Sequence, residues 1–223
     1  MKTRLVRCLW LAWLVLDARG AEGTPRPSAG ETPVTLSKAH AAAVNRSRRI
    51  YVNNDVGYGG PMGPTLSTVT PAEWVAARFS AFAQPGSQVD CVGWCLDEGN
   101  IAAYPSRVIP ELQYPTLLKW REAGGDPIRS IVEESHRRGM EAFWEHRLNG
   151  ADRETDVTTP AAHPLKRQHP EWLIEGGWWK PGLWNFAVPE VRRLKLQILR
   201  EVAERYDFDG MNLDFGRHPP FLP

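Results

Sequence analysis

Near the end of the 223-residue sequence, Phe208-Asp-Gly-Met-Asn-Leu-Asp-Phe-Gly-Arg-His-Pro-Pro220 places an aspartate, Asp214, where a short apolar run stops. A carboxylate at a strand end can meet the anomeric carbon of a bound sugar, and glycoside hydrolysis uses two such groups across the scissile bond. In that role Asp214 is the candidate nucleophile or electrostatic stabiliser, with Arg217 close enough in sequence to orient it. The structural alternative is an aspartate that caps the following turn or pairs with Arg217, and both readings stand at this point. Asp209 reads as the turn residue that leads into the run.

A second polar cluster, Glu145-His-Arg-Leu-Asn149, closes the run that begins at Met140. His146, Arg147 and Asn149 are candidates for hydrogen bonds to sugar hydroxyls, although an ordinary polar loop has the same composition. Side chains alternate along a strand, so if Trp144 faces inward then His146 does too, and Glu145 turns toward the helices. Asp97 and Glu98 end another run, and Asp97 shares the parity of Cys91, Gly93 and Cys95, which makes it a further substrate-binding candidate. Glu98 and Glu145 are the local candidates for a general acid. Five aromatic residues occupy the fifteen positions from Trp172 to Phe186. Apolar sugar faces stack on such rings, so Trp178, Trp179 and Trp184 are candidates to line a carbohydrate path. A small core that pins a long loop is the alternative.

These groups need a scaffold that brings strand ends together. Four short apolar runs, Ile50–Asn53, Val89–Leu96, Met140–Trp144 and Gly210–Phe215, alternate with helical stretches. Thr70-Pro-Ala-Glu73 is a capping box with proline at the first helical position, Asp126-Pro127 starts another helix with Gly139 as its stop, and Pro189 opens a third. A further helical stretch begins near Thr116. Strand, loop, helix, strand is the pattern of a parallel sheet with right-handed crossovers. Each run ends in polar or acidic residues, and the loops after runs are longer than those before them. That asymmetry predicts an α/β fold of (β/α) TIM-barrel type, with chemistry at the carboxyl ends of the strands. An open doubly wound sheet is disfavoured because no glycine-rich phosphate fingerprint follows the first run. About four β/α units are expected against the eight of a closed barrel, so the reading is a half or truncated barrel over 48–223, with the aromatic insertion at about 150–187.

Upstream, residues 1–7 are basic, Cys8–Leu16 is apolar, and Ala18-Arg-Gly20 offers small residues at cleavage positions. This three-part layout predicts a signal peptide over 1–20, cleaved near Gly20, and a secreted or periplasmic protein. Residues 21–47 are rich in Pro, Gly, Ser, Thr and Ala and are expected to form a flexible leader. Loss of 1–20 removes four cations and one anion, leaving 23 positive against 25 negative side chains. Neither nucleic acid nor a membrane is an expected partner of so balanced a chain. Cys91 and Cys95 lie on one run, about 13 Å apart if extended, beyond the roughly 7 Å a disulfide spans, so two buried free thiols are expected. With no His/Cys cluster at ligand spacing, neither a metal nor another cofactor is expected. Nothing in the sequence specifies an oligomeric state.

Four segments together, Phe143-Trp-Glu-His-Arg-Leu-Asn149, His169-Pro-Glu-Trp-Leu173, Trp184-Asn-Phe-Ala-Val-Pro-Glu-Val-Arg192 and Tyr206-Asp-Phe-Asp-Gly-Met-Asn-Leu-Asp-Phe215, resemble the family-ten-like glycosyl hydrolases of bacterial exported type. The resemblance covers roughly 48–223. It implies a TIM-barrel catalytic domain acting on a glycan, with Asp214 at the fourth-strand carboxylate and a partner carboxylate on a later strand. The resulting expectation is a glycoside hydrolase-like protein that cleaves O-glycosidic bonds of a poly- or oligosaccharide. The alternatives are a non-catalytic carbohydrate-binding protein and a truncated fragment without function.

Overall fold

Alanine fills half of the eight positions Lys38–Asn45, and its high helix propensity turns this segment into helix α1, where the sequence-based reading has a flexible leader. The structure, a computed structural model, describes residues 35, 37–48, 50–55, 70–82, 84–96, 100–149, 163–175 and 182–223. The chain divides into a unit up to Val44, whose described element is α1, and a unit from Asn45 to Pro223. Residues 1–20, expected from the sequence to be a signal peptide, lie outside the described residues.

The second unit alternates strands and helices in the order expected. Strand β1 (Tyr51–Asp55) is followed by α2 (Pro71–Phe79), β2 (Cys91–Cys95), α3 (Pro115–Glu122), α4 (Pro127–Arg137) and β3 (Glu141–Arg147). Then come α5 (Pro164–Gln168), a 3-10 turn (Pro170–Trp172), α6 (Pro189–Arg205) and β4 (Gly210–Asp214). Each of α2 to α6 starts with proline, whose missing N–H costs nothing in the first turn. Thr70 and Glu73 close a reciprocal capping box on α2, and Asp126 accepts from the backbone of Ile128 and Arg129 at the start of α4. Gly139, with φ of 73°, provides the left-handed residue that ends the α4 turn.

The four strands form one parallel sheet in the order β1-β2-β3-β4. Trp94 and Trp144 are register partners. Trp94 Nε1 donates to Ser135 Oγ of α4 at 3.1 Å, and its ring lies 5.0 Å from Phe79 of α2. Trp144 meets Tyr104 and Phe208 edge-on at 6.3 and 5.6 Å. These rings, with Val191, Leu194, Ile198 and Val202 of α6, make one core between the sheet and its helices.

The faces of β3 are therefore the reverse of the conditional sequence-based assignment. Trp144 and His146 point to the helix layer, while Glu145 and Arg147 point to the other face. Ser135 of α4, which holds Trp94, and Tyr104 of the 101–109 loop, which meets Trp144, fix this, and each stands about forty residues from its tryptophan. Cys91 and Cys95 are both free and buried, and both lie on the face of Glu145.

Candidate functional site at the carboxyl ends of the strands

On the face turned away from the helices, side chains of β1, β3 and β4 converge around Glu145 across β2. Its carboxylate is only 2% exposed, and Oε2 accepts from Tyr51 Oη at 2.7 Å and from Asn212 Nδ2 at 2.5 Å. Asn212 is its register neighbour on β4. Tyr51 comes from β1, two strands away, and reaches it across β2 only because Gly93 has no side chain. A Cβ at Gly93 would lie 1.7 Å from Tyr51 Oη. Burial, then the hydrogen bond to Glu145, raises the Tyr51 phenol above the ordinary tyrosine value, so it stays a donor. Tyr51 also stands edge-on to Phe143, 6.1 Å between centroids.

One step further toward the strand ends, Arg147 Nη2 bonds Asp55 Oδ2 at 2.6 Å, tying β3 to β1. Its register partner on β4 is Asp214. Asp214 is partly exposed, and its Oδ1 accepts from the backbone N–H of Gly216 at 2.7 Å and of Arg217 at 3.1 Å. Among the described residues no donor engages Oδ2. The turn-capping alternative is thus correct for one oxygen, and the same cap fixes the carboxylate.

The remaining sequence-derived candidates separate. Arg147 joins this face, and Arg217, three residues after Asp214, is exposed. His146 does not join. It is fully buried on the helix side, stacked at 22° on Trp144, and burial followed by the Lys195 cation holds it well below its ordinary pKa, hence neutral. Asn149 is 1% exposed and structural: its Oδ1 accepts from the Trp184 N–H at 2.8 Å, and its Nδ2 donates to the Pro220 carbonyl at 3.2 Å. Trp184 is fully buried, so it has no surface with which to line a sugar path. Its Nε1 donates to Asn100 Oδ1, which also accepts from Lys195 Nζ, and Lys166 sits 5.0 Å over its ring. For Trp184 the loop-pinning core is the correct alternative. Asp97, Trp178 and Trp179, like Glu98, lie outside the described residues.

Tyr51, Asp55 and Asn212 were not among the sequence-derived candidates. The available signal was Gly93 inside an otherwise bulky strand, which marks the close approach of another group. Among the described residues no three His, Cys, Asp or Glu side chains gather to hold a metal ion, and no helix is long and apolar enough to cross a membrane.

Comparison with known proteins places this geometry in context. The family model described as glycosyl hydrolase-like 10 matches residues 88–219. The glycosyl hydrolase YngK of Bacillus subtilis is 29% identical over 122 residues, covering 53% of this chain and 23% of YngK. The glycosyl hydrolase DigH of Escherichia coli K12 is 30% identical over 137 residues, covering 56% of this chain and 30% of DigH. The chain therefore matches less than a third of the length of either relative. Among solved structures, alpha-L-fucosidase isoenzyme 2 from Paenibacillus thiaminolyticus superposes with a TM-score of 0.51 at 15% identity, over 76% of this chain and 24% of the fucosidase. At that identity the likeness concerns the fold.

Proposed function

The chain belongs to the glycosyl hydrolase-like 10 family, and we propose on that premise that it acts in O-glycoside hydrolysis, its parallel sheet supplying four strands of a TIM-type barrel. The observation that carries this reading is Asp214: a strand-end carboxylate, partly exposed, clamped through Oδ1 and open at Oδ2. In such a reaction positive charge develops at the anomeric carbon, and a carboxylate beside it stabilises or attacks that centre. An acid protonates the departing oxygen, and water completes the cleavage. Asp214 takes the first role, and Arg147 and Arg217 are the proposed contacts to sugar hydroxyls. Trp178 and Trp179 are the proposed stacking platforms, and Asp97 is a further polar contact. The three-part N-terminus supports export to the periplasm or beyond.

Non-catalytic carbohydrate binding is the second reading, and Glu145 favours it. Of the carboxylates placed on this face near Asp214 among the described residues, Glu145 is almost fully buried and already holds two donors, and Asp55 is held by Arg147. One experiment separates the two. The chain and its Asp214→Asn variant are tested for binding to, and release of reducing ends from, a panel of soluble β- and α-linked glycans. Hydrolysis by the wild type that falls by about a hundredfold or more in the variant, with binding retained, supports catalysis. Binding without turnover in either protein supports the second reading, and neither binding nor turnover refutes both.

A further inference from the structure

A cleft of about 830 Å³ opens on the helix side of the sheet, on the opposite face from Glu145, between α6, α4 and the 105–109 loop. Four arginines line it: Arg107 from the loop, Arg129 from α4, and Arg200 and Arg205 from α6. Two glutamates, Glu201 and Glu204, line it as well, so cations exceed anions by two. Glu201 is committed elsewhere: Oε2 accepts from Ser106 Oγ at 2.6 Å and Oε1 from the Arg107 backbone N–H at 2.7 Å, which locks the loop to α6. Arg200 with Glu204 and Glu201 with Arg205 stand at helical i,i+4 spacing. Among the described residues, however, no carboxylate comes within ion-pair distance of any of the four guanidinium groups.

Two of those guanidinium groups are held by aromatic rings instead. Arg205 lies 5.7 Å over Tyr104, and Arg129 lies 5.8 Å over Tyr206. The two rings are themselves packed edge-on at 5.9 Å. Tyr206 Oη donates to Asp126 Oδ2 at 2.9 Å, which ties its ring to the start of α4. Stacking orients a guanidinium while leaving its N–H fork available, and that fork matches phosphate and carboxylate oxygens. The cleft falls within the usual volume range of small-ligand sites, about 300–1,000 Å³.

We propose that this cleft is an oxyanion-binding site, distinct from the carboxyl-end face, that takes a small ligand bearing phosphate or carboxylate groups. The arginines supply paired N–H donors, the tyrosines fix their planes, and Val108 and Leu194 give the cleft an apolar wall.

The test is calorimetric titration of the full chain with inorganic pyrophosphate and, in parallel, with citrate, which distinguishes a phosphate from a carboxylate ligand. Saturable one-to-one binding of either probe is expected, weakened about tenfold or more by Arg129→Gln and by Arg200→Gln. Arg193→Gln, on α6 but not lining the cleft, should leave the affinity unchanged, and Glu204→Gln should tighten it. Arg200 is exposed, so its replacement is compatible with folding, and an unchanged thermal midpoint verifies that. Absence of saturable binding with both probes overturns the proposal. So does a loss of affinity in Arg193→Gln equal to that in Arg200→Gln, because general charge would then explain the effect.

Discussion

Replacing Gly93 by alanine tests how the buried Glu145 is held. An ideal Cβ on Gly93 lies 1.7 Å from Tyr51 Oη, 2.5 Å from Tyr51 Cζ and 3.0 Å from Glu145 Oε2, so the tyrosine cannot stay. Tyr51 is 39% exposed, so its ring can swing into solvent rather than compress the strand. The cost is then what Tyr51 leaves behind. Glu145 keeps only Asn212 among these two donors, and a hydrogen bond to a charged group is worth about 1.5–3 kcal/mol. The lost edge-on contact with Phe143 adds about 0.5–1.5 kcal/mol. Gly93→Ala should therefore destabilise by about 2–4 kcal/mol. Tyr51→Phe keeps the ring and removes only the hydroxyl, for about 1.5–3 kcal/mol. In a Tyr51→Ala background Gly93→Ala has no ring to displace, and its cost should drop below about 0.5 kcal/mol. Urea unfolding midpoints of the four proteins in the Gly93→Ala/Tyr51→Ala cycle, with unchanged slope, measure the coupling. A cycle additive to within about 0.5 kcal/mol would refute the reasoning, because the clash would then not act through Tyr51.

Two other predictions concern the buried groups around Trp184. Burial, followed by the cations of Lys195, Lys166 and Arg167, lowers His163 from 6.5 to about 4, and His146 is lowered by burial and Lys195. Between these limits the unfolded chain binds more protons than the folded one, so stability rises with pH. The contribution is complete above about pH 6.5 and is lost as pH falls toward 4, amounting to about 3 kcal/mol for His163 alone. Unfolding midpoints recorded from about pH 7.5 down to about pH 4.5 should decline, and His163→Gln should flatten the decline; a pH-independent midpoint contradicts this assignment. Trp184→Ala should destabilise by about 3–5 kcal/mol, as for other fully buried large rings. An unchanged thermal midpoint together with weakened glycan binding would return Trp184 to the sugar path.

Strand and helix positions are legible in the sequence because local chemistry marks them. Prolines at first turns, the Thr70–Glu73 box, the Asp126 cap and Gly139 act within a few residues of themselves. The alanine content of α1 is equally local, but the surrounding Pro, Gly, Ser and Thr obscure it. Trp184 illustrates a different limit. An aromatic-rich loop has the same composition whether its rings face a ligand or each other, and only the contacts with Asn100, Lys166 and Asn149 decide. Asp214 could not be resolved from sequence because its two oxygens have different surroundings: one caps the turn, and the other meets no donor among the described residues.

Strand facing has the largest consequence for chemistry. Every residue of β2 is buried, and β3 is buried at all but Phe143, so no alternation of polar and apolar residues reveals which parity meets the helices. The choice rests on where Trp94 and Trp144 find partners, and Ser135 and Tyr104 stand about forty residues from them. A shift of one residue in parity moves an entire set of side chains to the other face. Here it exchanges His146, neutral and buried under the helices, for Glu145, a carboxylate on the face of Asp214. The first assignment gives a face with Asp55, Asp214 and an imidazole but without Glu145. The observed one puts Glu145 one row below Asp214 on the adjacent strand, roughly 8 Å away between Cα atoms. Tyr51 and Asn212 close that carboxylate off, so the hydroxyl that crosses Gly93 holds Glu145 as a structural anchor on this face.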